Sequence, residues 1–263
     1  MVQAGRRDAA GDGQRRRPAQ PLSRARVLEA ALDLADAEGL KAVTMRMLAA
    51  ELGVEAMSIY HHLPGKEGLL DGLVESLIAQ IERELAEQQK AGASPAPGAT
   101  ETGTVVPDWR DAVRRRCLTA RDVMVRHPWG PALITSRPSI PPAAYLYYES
   151  LLAAMVGGGL SYHLAHRALH ALGSLSLGFA QEVFSPGADD AGPGEGGDGG
   201  DGGDGEFARL AEELPHLTAM VASEIHQNDG DVLGWCDSRA EFEFTLDLLL
   251  DGLARAAHAE RRP

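Results

Sequence analysis

The sequence has few cysteines and no long apolar run. Its two cysteines, Cys117 and Cys236, lie far apart and match no zinc-binding spacing. We therefore expect no disulfide framework, and a reducing cytoplasm is the favoured location. No segment approaches the roughly 18 apolar residues that a membrane span needs, and the arginine-rich start lacks the apolar core of a signal peptide. We expect a cytoplasmic protein with no membrane partner.

Strand patterns and catalytic constellations are also missing. Apolar residues make up 44% of the chain and recur at helical spacing, without runs of β-branched residues or period-two alternation. This pattern predicts an all-α fold. We find no nucleophile–base pair, phosphate-binding loop or metal cluster, so we predict no enzyme, no catalytic residue, no metal site and no cofactor. An enzyme that kept a helical pocket is the least favoured alternative.

The charge is distributed unevenly along the chain. The net charge is −13, yet residues 1–66 carry 10 Lys and Arg against 8 Asp and Glu, and residues 67–263 carry 15 against 30. A mildly basic first part on an acidic body is a charge asymmetry that can mark a nucleic-acid-binding end.

Changes in composition predict the domain organisation. Residues 1–20 lack apolar periodicity and are interpreted as a disordered arm, whose arginines we take for a solvated tail rather than phosphate ligands. A three-helix unit is predicted over 21–66, a long helix over about 66–88, and a larger helical body over 67–263. The glycine-rich and acidic segment 186–205 lacks the apolar residues of a calcium-binding repeat and is interpreted as a flexible linker.

The three-helix unit has the pattern of a helix-turn-helix. Thr44 is an N-cap, Gly53 ends that helix, and the next helix runs from Ala56 to about His62. Ile59 and Leu63 are expected to point inward. The second helix of such a unit enters the major groove of double-stranded DNA, so its other residues become candidates for DNA contact. Arg46 in the helix before the turn and Lys66 after the second helix are added as basic candidates. The full set is Ala56, Met57, Ser58, Tyr60, His61, His62, Arg46 and Lys66.

The stretch from Leu22 to Leu70, with AVTMRMLAAELGVEAMSIYHHLPGKEGLLD at its centre, resembles the DNA-binding head of the TetR (tetracycline repressor) family. The resemblance implies a helix-turn-helix head joined by a long helix to a larger helical bundle for ligand binding and dimerisation. It also implies that Thr44, Tyr60 and Lys66 clamp phosphates. Arg46 and the exposed residues of the 56–62 helix would then read bases.

Two apolar stripes in the body are candidates for a homodimer interface. They lie on helices predicted near 161–184 and 238–259, and two stripes per subunit could build a four-helix interface, as the corresponding helices do in the resembled family. The alternative is that both stripes face the internal core. The candidate residues are Leu164, Ala168, Leu172, Leu175, Phe179, Phe242, Leu246, Leu249 and Leu253.

The resemblance continues into the body, towards the tetracycline repressors themselves. It implies a ligand pocket, with Arg137, Pro138 and Glu182 kept, and with Leu133 and Ser174 standing where those repressors have two pocket histidines. Leucine cannot ligate a hard cation, so we do not expect recognition of a metal–tetracycline chelate. His127 and Trp129 are further pocket candidates, as are the tyrosines at 145, 147 and 148. For each of these five residues, a place in the ligand pocket and a place in the apolar core are equally favoured.

Three histidines, His163, His166 and His170, fall close to one face of a predicted helix. We favour a polar helix surface over a metal site, because no carboxylate or cysteine partner is evident. The resulting hypothesis is a homodimeric repressor that a small-molecule effector releases from a palindromic operator. The alternative is a ligand-independent regulator or activator with the same head.

Overall fold

The computed structural model describes residues 21–92, 108–179, 213–224 and 238–261. Within these ranges all regular structure is helical, and the prediction of an all-α fold is confirmed. The predicted arm at 1–20, the acidic segment 186–205 and Glu182 lie outside the described residues. The helices are α1 (Arg24–Glu38), α2 (Met45–Leu52), α3 (Ala56–Tyr60), α4 (Gly65–Gly92), α5 (Trp109–Arg126), α6 (Gly130–Ser136), α7 (Pro142–Gly157), α8 (Tyr162–Gly178), α9 (Pro215–Glu224) and α10 (Ser238–Glu260), with a turn of 3-10 helix at Leu40–Ala42.

Side-chain caps begin the first two helices. The Ser23 hydroxyl accepts a hydrogen bond from the backbone N–H of Arg26 at 3.2 Å, and the Thr44 hydroxyl accepts one from the N–H of Met47 at 3.2 Å. Each bond satisfies a donor that the helix itself leaves unpaired. Gly53 ends α2 with a φ of 66°, a left-handed conformation that glycine adopts without strain. The chain can therefore turn sharply from α2 into α3.

The head formed by α1, α2 and α3 has its own apolar core, and the first half of α4 completes it. Val27, Leu48 and Ile59 are fully enclosed, and Leu73 of α4 packs into the same cluster. The core of the head therefore extends past residue 66, where the sequence suggested a boundary. The predicted helix over about 66–88 is 28 residues long, which corresponds to about 42 Å at 1.5 Å per residue.

The body is a helical bundle built on the second half of α4. Leu77 and Ile81 of α4 pack against Val123 and Met124 of α5. A second cluster joins α5, α7, α8 and α10, and it encloses Met155 and other large apolar side chains completely. The helix α4 contributes side chains to the core of the head and to the body. A displacement of its middle therefore changes the position of the head relative to the body.

The structure corrects part of the proposed dimer stripes. Five of the nine residues are at most 5% exposed in a single chain and belong to its own core: Leu164, Ala168, Leu172, Phe242 and Leu246. A side chain that is already enclosed cannot bury further area against a second copy. The remaining four, Leu175, Phe179, Leu249 and Leu253, are half-buried and pack against the same cluster.

Candidate DNA-binding face and ligand cavity

The predicted DNA-contacting residues occupy α2, α3, the following turn and the start of α4. Six are exposed, and Met57 (67%) and Tyr60 (47%) are large side chains that the fold leaves uncovered. An uncovered methionine and tyrosine on a short helix are available for contact with a partner. The exposed residues are Thr44, Arg46, Met57, Tyr60, His61 and Lys66, whereas Ala56, Ser58 and His62 are half-buried.

Buried anchors determine which way α3 faces. Ile59 is fully enclosed and Leu63 is 1% exposed, and both belong to the core of the head. Since Ile59 holds one face of α3 in this core, and Leu63 holds the turn that follows, Met57 and Tyr60 are presented on other faces. The helix ends at Tyr60, two residues earlier than predicted, and His61 and His62 form the turn before α4.

Two helices begin beside this face. Thr44 caps α2, and its hydroxyl oxygen already accepts the Met47 N–H, so the hydroxyl proton is left to donate. Lys66 is exposed in the first turn of α4. Backbone N–H groups at a helix start favour an anion, and a lysine in the same turn adds a full positive charge. The arrangement suits phosphate binding at two points.

A cavity of about 230 Å³ lies in the body, between α4, α5, α7 and α8. Most of its wall is aliphatic, including Ile78, Leu151 and Leu172. Of the predicted ligand residues, Arg137 and Pro138 line it, as do Tyr147 and Tyr148. Cys117 and Ser176 also line it, although no motif marks either of them in the sequence.

Two polar groups in the cavity wall, Cys117 and Tyr147, are held in their neutral form. Burial raises the pKa of the Cys117 thiol to about 12, although the nearby Ser176 hydroxyl and the Arg116 guanidinium oppose the shift. Burial likewise raises the pKa of Tyr147 well above its usual range. At physiological pH both groups therefore keep their protons and can donate hydrogen bonds.

Arg137 links the cavity wall to the start of α4. Its Nε donates to Asp71 Oδ1 at 2.9 Å and its Nη2 to Glu67 Oε2 at 2.7 Å. Burial alone would lower the pKa of Arg137, but Glu67 and Asp71 raise it above its usual value, so the guanidinium stays charged. Both carboxylates lie within the first two turns of α4, next to Lys66. A change in the wall at Arg137 therefore bears directly on the helix that leads from the head.

The structure places the other predicted pocket residues elsewhere. The Nδ1 atom of His127 and the indole N–H of Trp129 both lie 2.7 Å from Asp36 Oδ1, so they join the body to the end of α1. Leu133 is 1% exposed and packs into the core of the head. Ser174 is exposed on α8. None of these four lines the cavity, because His127, Trp129 and Leu133 contact the head and Ser174 is exposed on α8.

The remaining candidates lie on the surface of the body. Tyr145 is 58% exposed and does not line the cavity. His163, His166 and His170 are exposed on α8, and the rings of the last two are 4.7 Å apart, edge to face. Among the described residues no group of three histidine, cysteine or carboxylate side chains could hold a metal ion.

Two family models match the chain. "Bacterial regulatory proteins, tetR family" covers residues 27–73, and "Tetracyclin repressor-like, C-terminal domain" covers residues 99–257. The second match alone spans more than half of the sequence. The chain belongs to the TetR family, in agreement with the resemblance drawn from its head.

Individual relatives agree with this assignment. The chain is 34% identical over 146 residues to the HTH-type transcriptional repressor DrrR1 of Streptomyces coeruleorubidus, which is 56% of this chain and 48% of that protein. It is 27% identical over 162 residues to the class D tetracycline repressor of Escherichia coli, which is 61% of this chain and 66% of the repressor. The chain spans about half the length of DrrR1 and of a curated Saccharopolyspora erythraea regulator.

A solved structure has the same fold. A possible TetR family transcriptional regulator from Streptomyces coelicolor A3(2) superposes with a TM-score of 0.60 at 27% identity, covering 89% of this chain and 100% of that one. In the described part of the chain, no helix combines the length and the apolar character that crossing a membrane requires.

Proposed function

We propose that this chain is a homodimeric transcriptional repressor of the cytoplasm, released from a palindromic operator by a small-molecule effector. The observation that carries the proposal is the exposed face of α3 beside the starts of α2 and α4. It combines large uncovered side chains with two points suited to phosphate. Phosphate contacts position such a protein on DNA, and contacts to base edges specify the sequence.

One short recognition helix reads few bases, so a pair of heads is required for a specific site. An uncovered apolar strip on α10 supports pairing of two copies: Phe244 is 62% exposed and Leu248 is 53% exposed, one helical turn apart. On α8 Gly178 is exposed, and no atom of the described residues lies within 4 Å of the position a Cβ would take there. We propose that these outer faces, rather than the enclosed stripes, form the contact between subunits.

The link at Arg137 supports a route from the cavity to DNA. An effector that fills the cavity presses on the wall that contains Arg137, whose two carboxylate partners belong to α4. A shift of α4 moves the head, and paired heads must stay about 34–36 Å apart to occupy successive major grooves. An effector that binds better to the shifted state therefore lowers the affinity for DNA.

Selection of bound duplexes from a random pool tests this function. We expect a two-fold symmetric site with half-sites about one helical turn apart. Titration of the best duplex against a scrambled duplex of the same composition, at two salt concentrations, then gives the specificity. A preference that has no symmetry, and that disappears as salt rises, would contradict an operator-binding dimer. A reporter gene behind the selected site distinguishes repression from the alternative, activation.

Removal of single phosphate contacts should change the salt dependence of binding. For Lys66→Ala we expect weaker binding to every duplex, and a slope of log affinity against log salt that is smaller by about one. Tyr60→Phe should also weaken binding to all duplexes, because it removes one hydroxyl donor. Filter-binding or anisotropy titrations between low and moderate salt measure both effects.

Lys90→Ala is the matched control, since Lys90 is exposed near the opposite end of the same helix, away from the head. It should leave the slope unchanged. An unchanged slope in Lys66→Ala would remove this lysine from the phosphate contacts, whatever happens to the affinity.

A further inference from the structure

The cavity in the body has a chemistry that selects among effectors. Its described wall is aliphatic over most of its area, and it contains neutral hydrogen-bonding side chains: Cys117, Ser139, Tyr147, Tyr148 and Ser176. Arg137 is the single charged side chain among the described residues of the wall. The affinity of such a cavity comes from apolar contact, and its selectivity comes from a few placed polar groups.

The charge of Arg137 is already balanced. Its guanidinium contacts Glu67 and Asp71 at 2.7–2.9 Å. An anionic ligand would have to compete with two carboxylates for this one cation, and a cationic ligand would find no carboxylate among the described residues of the wall. A charge buried without a partner is strongly unfavourable. The wall therefore discriminates against charge of either sign.

The neutral donors come from three helices that surround the cavity. Cys117 lines it from α5, Tyr147 from α7 and Ser176 from α8. The ring of Tyr147 has two neighbours, Tyr148 edge-on at 6.1 Å between ring centroids and the Arg116 guanidinium at 5.7 Å from its centroid. Arg116 is itself paired with Glu82 at 2.6 Å. A ring packed against these neighbours has fewer positions for its hydroxyl, and a protonated hydroxyl suits a ligand with a carbonyl oxygen.

From these features we infer that the cavity binds an uncharged, compact, mainly apolar molecule that offers a hydrogen-bond acceptor, such as a carbonyl oxygen, to Tyr147. The volume of about 230 Å³ limits the ligand to a compact molecule, below the usual size range of ligand pockets. The inference rests on the proposed function, because it names the class of effector for that repressor. It is tested by binding alone, without DNA.

The test uses three probes of nearly the same shape: 2-acetylnaphthalene (a neutral ketone), 2-naphthoate (an anion) and 1-(naphthalen-2-yl)ethylamine (a cation at pH 7). Each is titrated into the full chain by calorimetry or naphthalene fluorescence. We expect the ketone to bind at least about tenfold more tightly than either charged probe, since a buried unpaired charge costs more than about 1.4 kcal/mol. Equal or tighter binding of a charged probe, or no binding of the ketone, would overturn the inference.

Two conservative variants locate the ketone. Tyr147→Phe removes one hydroxyl and should weaken ketone binding by about threefold to tenfold, the usual contribution of a neutral hydrogen bond. Tyr145→Phe is the matched control, because Tyr145 is on the same helix and is 58% exposed outside the cavity. Equal effects of the two variants would overturn the role of Tyr147. The duplex selection does not depend on these titrations. If no symmetric operator is selected, the proposed function fails, whereas an unexpected order of probe affinities contradicts only the inferred class of ligand.

Discussion

Replacement of Phe242 by alanine is expected to lower the free energy of unfolding by about 3–5 kcal/mol, the range for a large aromatic removed from a core. Phe242 is fully enclosed, and its ring meets Phe179 edge to face at 5.2 Å. The Arg121 guanidinium lies 5.7 Å from the ring centroid, so the substitution also removes a cation–π contact. Denaturant unfolding followed by circular dichroism measures the loss.

Phe244 provides the matched control on the same helix. It is 62% exposed, so Phe244→Ala should leave the stability of the single subunit within about 0.5 kcal/mol. If the outer face of α10 joins two copies, the same substitution should raise the dimer dissociation constant at least tenfold, the effect of losing about 1.4 kcal/mol at an interface. Sedimentation equilibrium measures it, with unfolding repeated at several protein concentrations to separate the two contributions.

The two substitutions test different parts of the structure, so the result of each can contradict it independently. A small effect of Phe242→Ala would mean that α10 does not pack as described. A wild-type dimer constant in Phe244→Ala would mean that the subunits meet through another surface.

Much of the fold could be predicted because helices leave local signals in a sequence. Caps such as Thr44 and stops such as Gly53 act over three or four residues, and apolar periodicity marks a buried face without any knowledge of its partner. The candidate DNA face was predictable for the same reason. Ile59 and Leu63 are four residues apart and both were expected to point inward, so the exposed positions of α3 follow by geometry.

Which helices and side chains pack against each other could not be predicted, since this depends on contacts between segments distant in the chain. An apolar stripe on α8 or α10 is equally compatible with a core and with a dimer contact, and only the packing of α5 and α7 against it decides. His127 and Trp129 gave no sign that Asp36, about 90 positions earlier, would be their partner. Cys117 and Ser176 line the cavity only because three helices bring them together.

Alanine at Ile59 is expected to have the largest effect on DNA binding. The five-residue α3 is too short to persist on its own, so its position depends on the enclosed Ile59 side chain. Ile59→Ala should lower the stability of the head by about 2–5 kcal/mol. Because only the ordered head binds, affinity should fall by similar factors for the selected operator and for a scrambled duplex. Anisotropy titrations with both duplexes measure this, and chemical denaturation measures the loss of stability.

Met57→Ala tests the contact of α3 with DNA, whereas Ile59→Ala tests the packing that holds the same helix in place. Met57 is 67% exposed, so its removal should leave unfolding unchanged within about 0.5 kcal/mol. An apolar side chain contacts a thymine methyl in the major groove, so its loss should weaken operator binding and leave the scrambled duplex unaffected. Equal losses on the two duplexes in Met57→Ala would mean that Met57 does not read bases. A loss confined to the operator in Ile59→Ala would contradict the supporting role of Ile59, which follows from its enclosure in one cluster with Leu48 and Leu63.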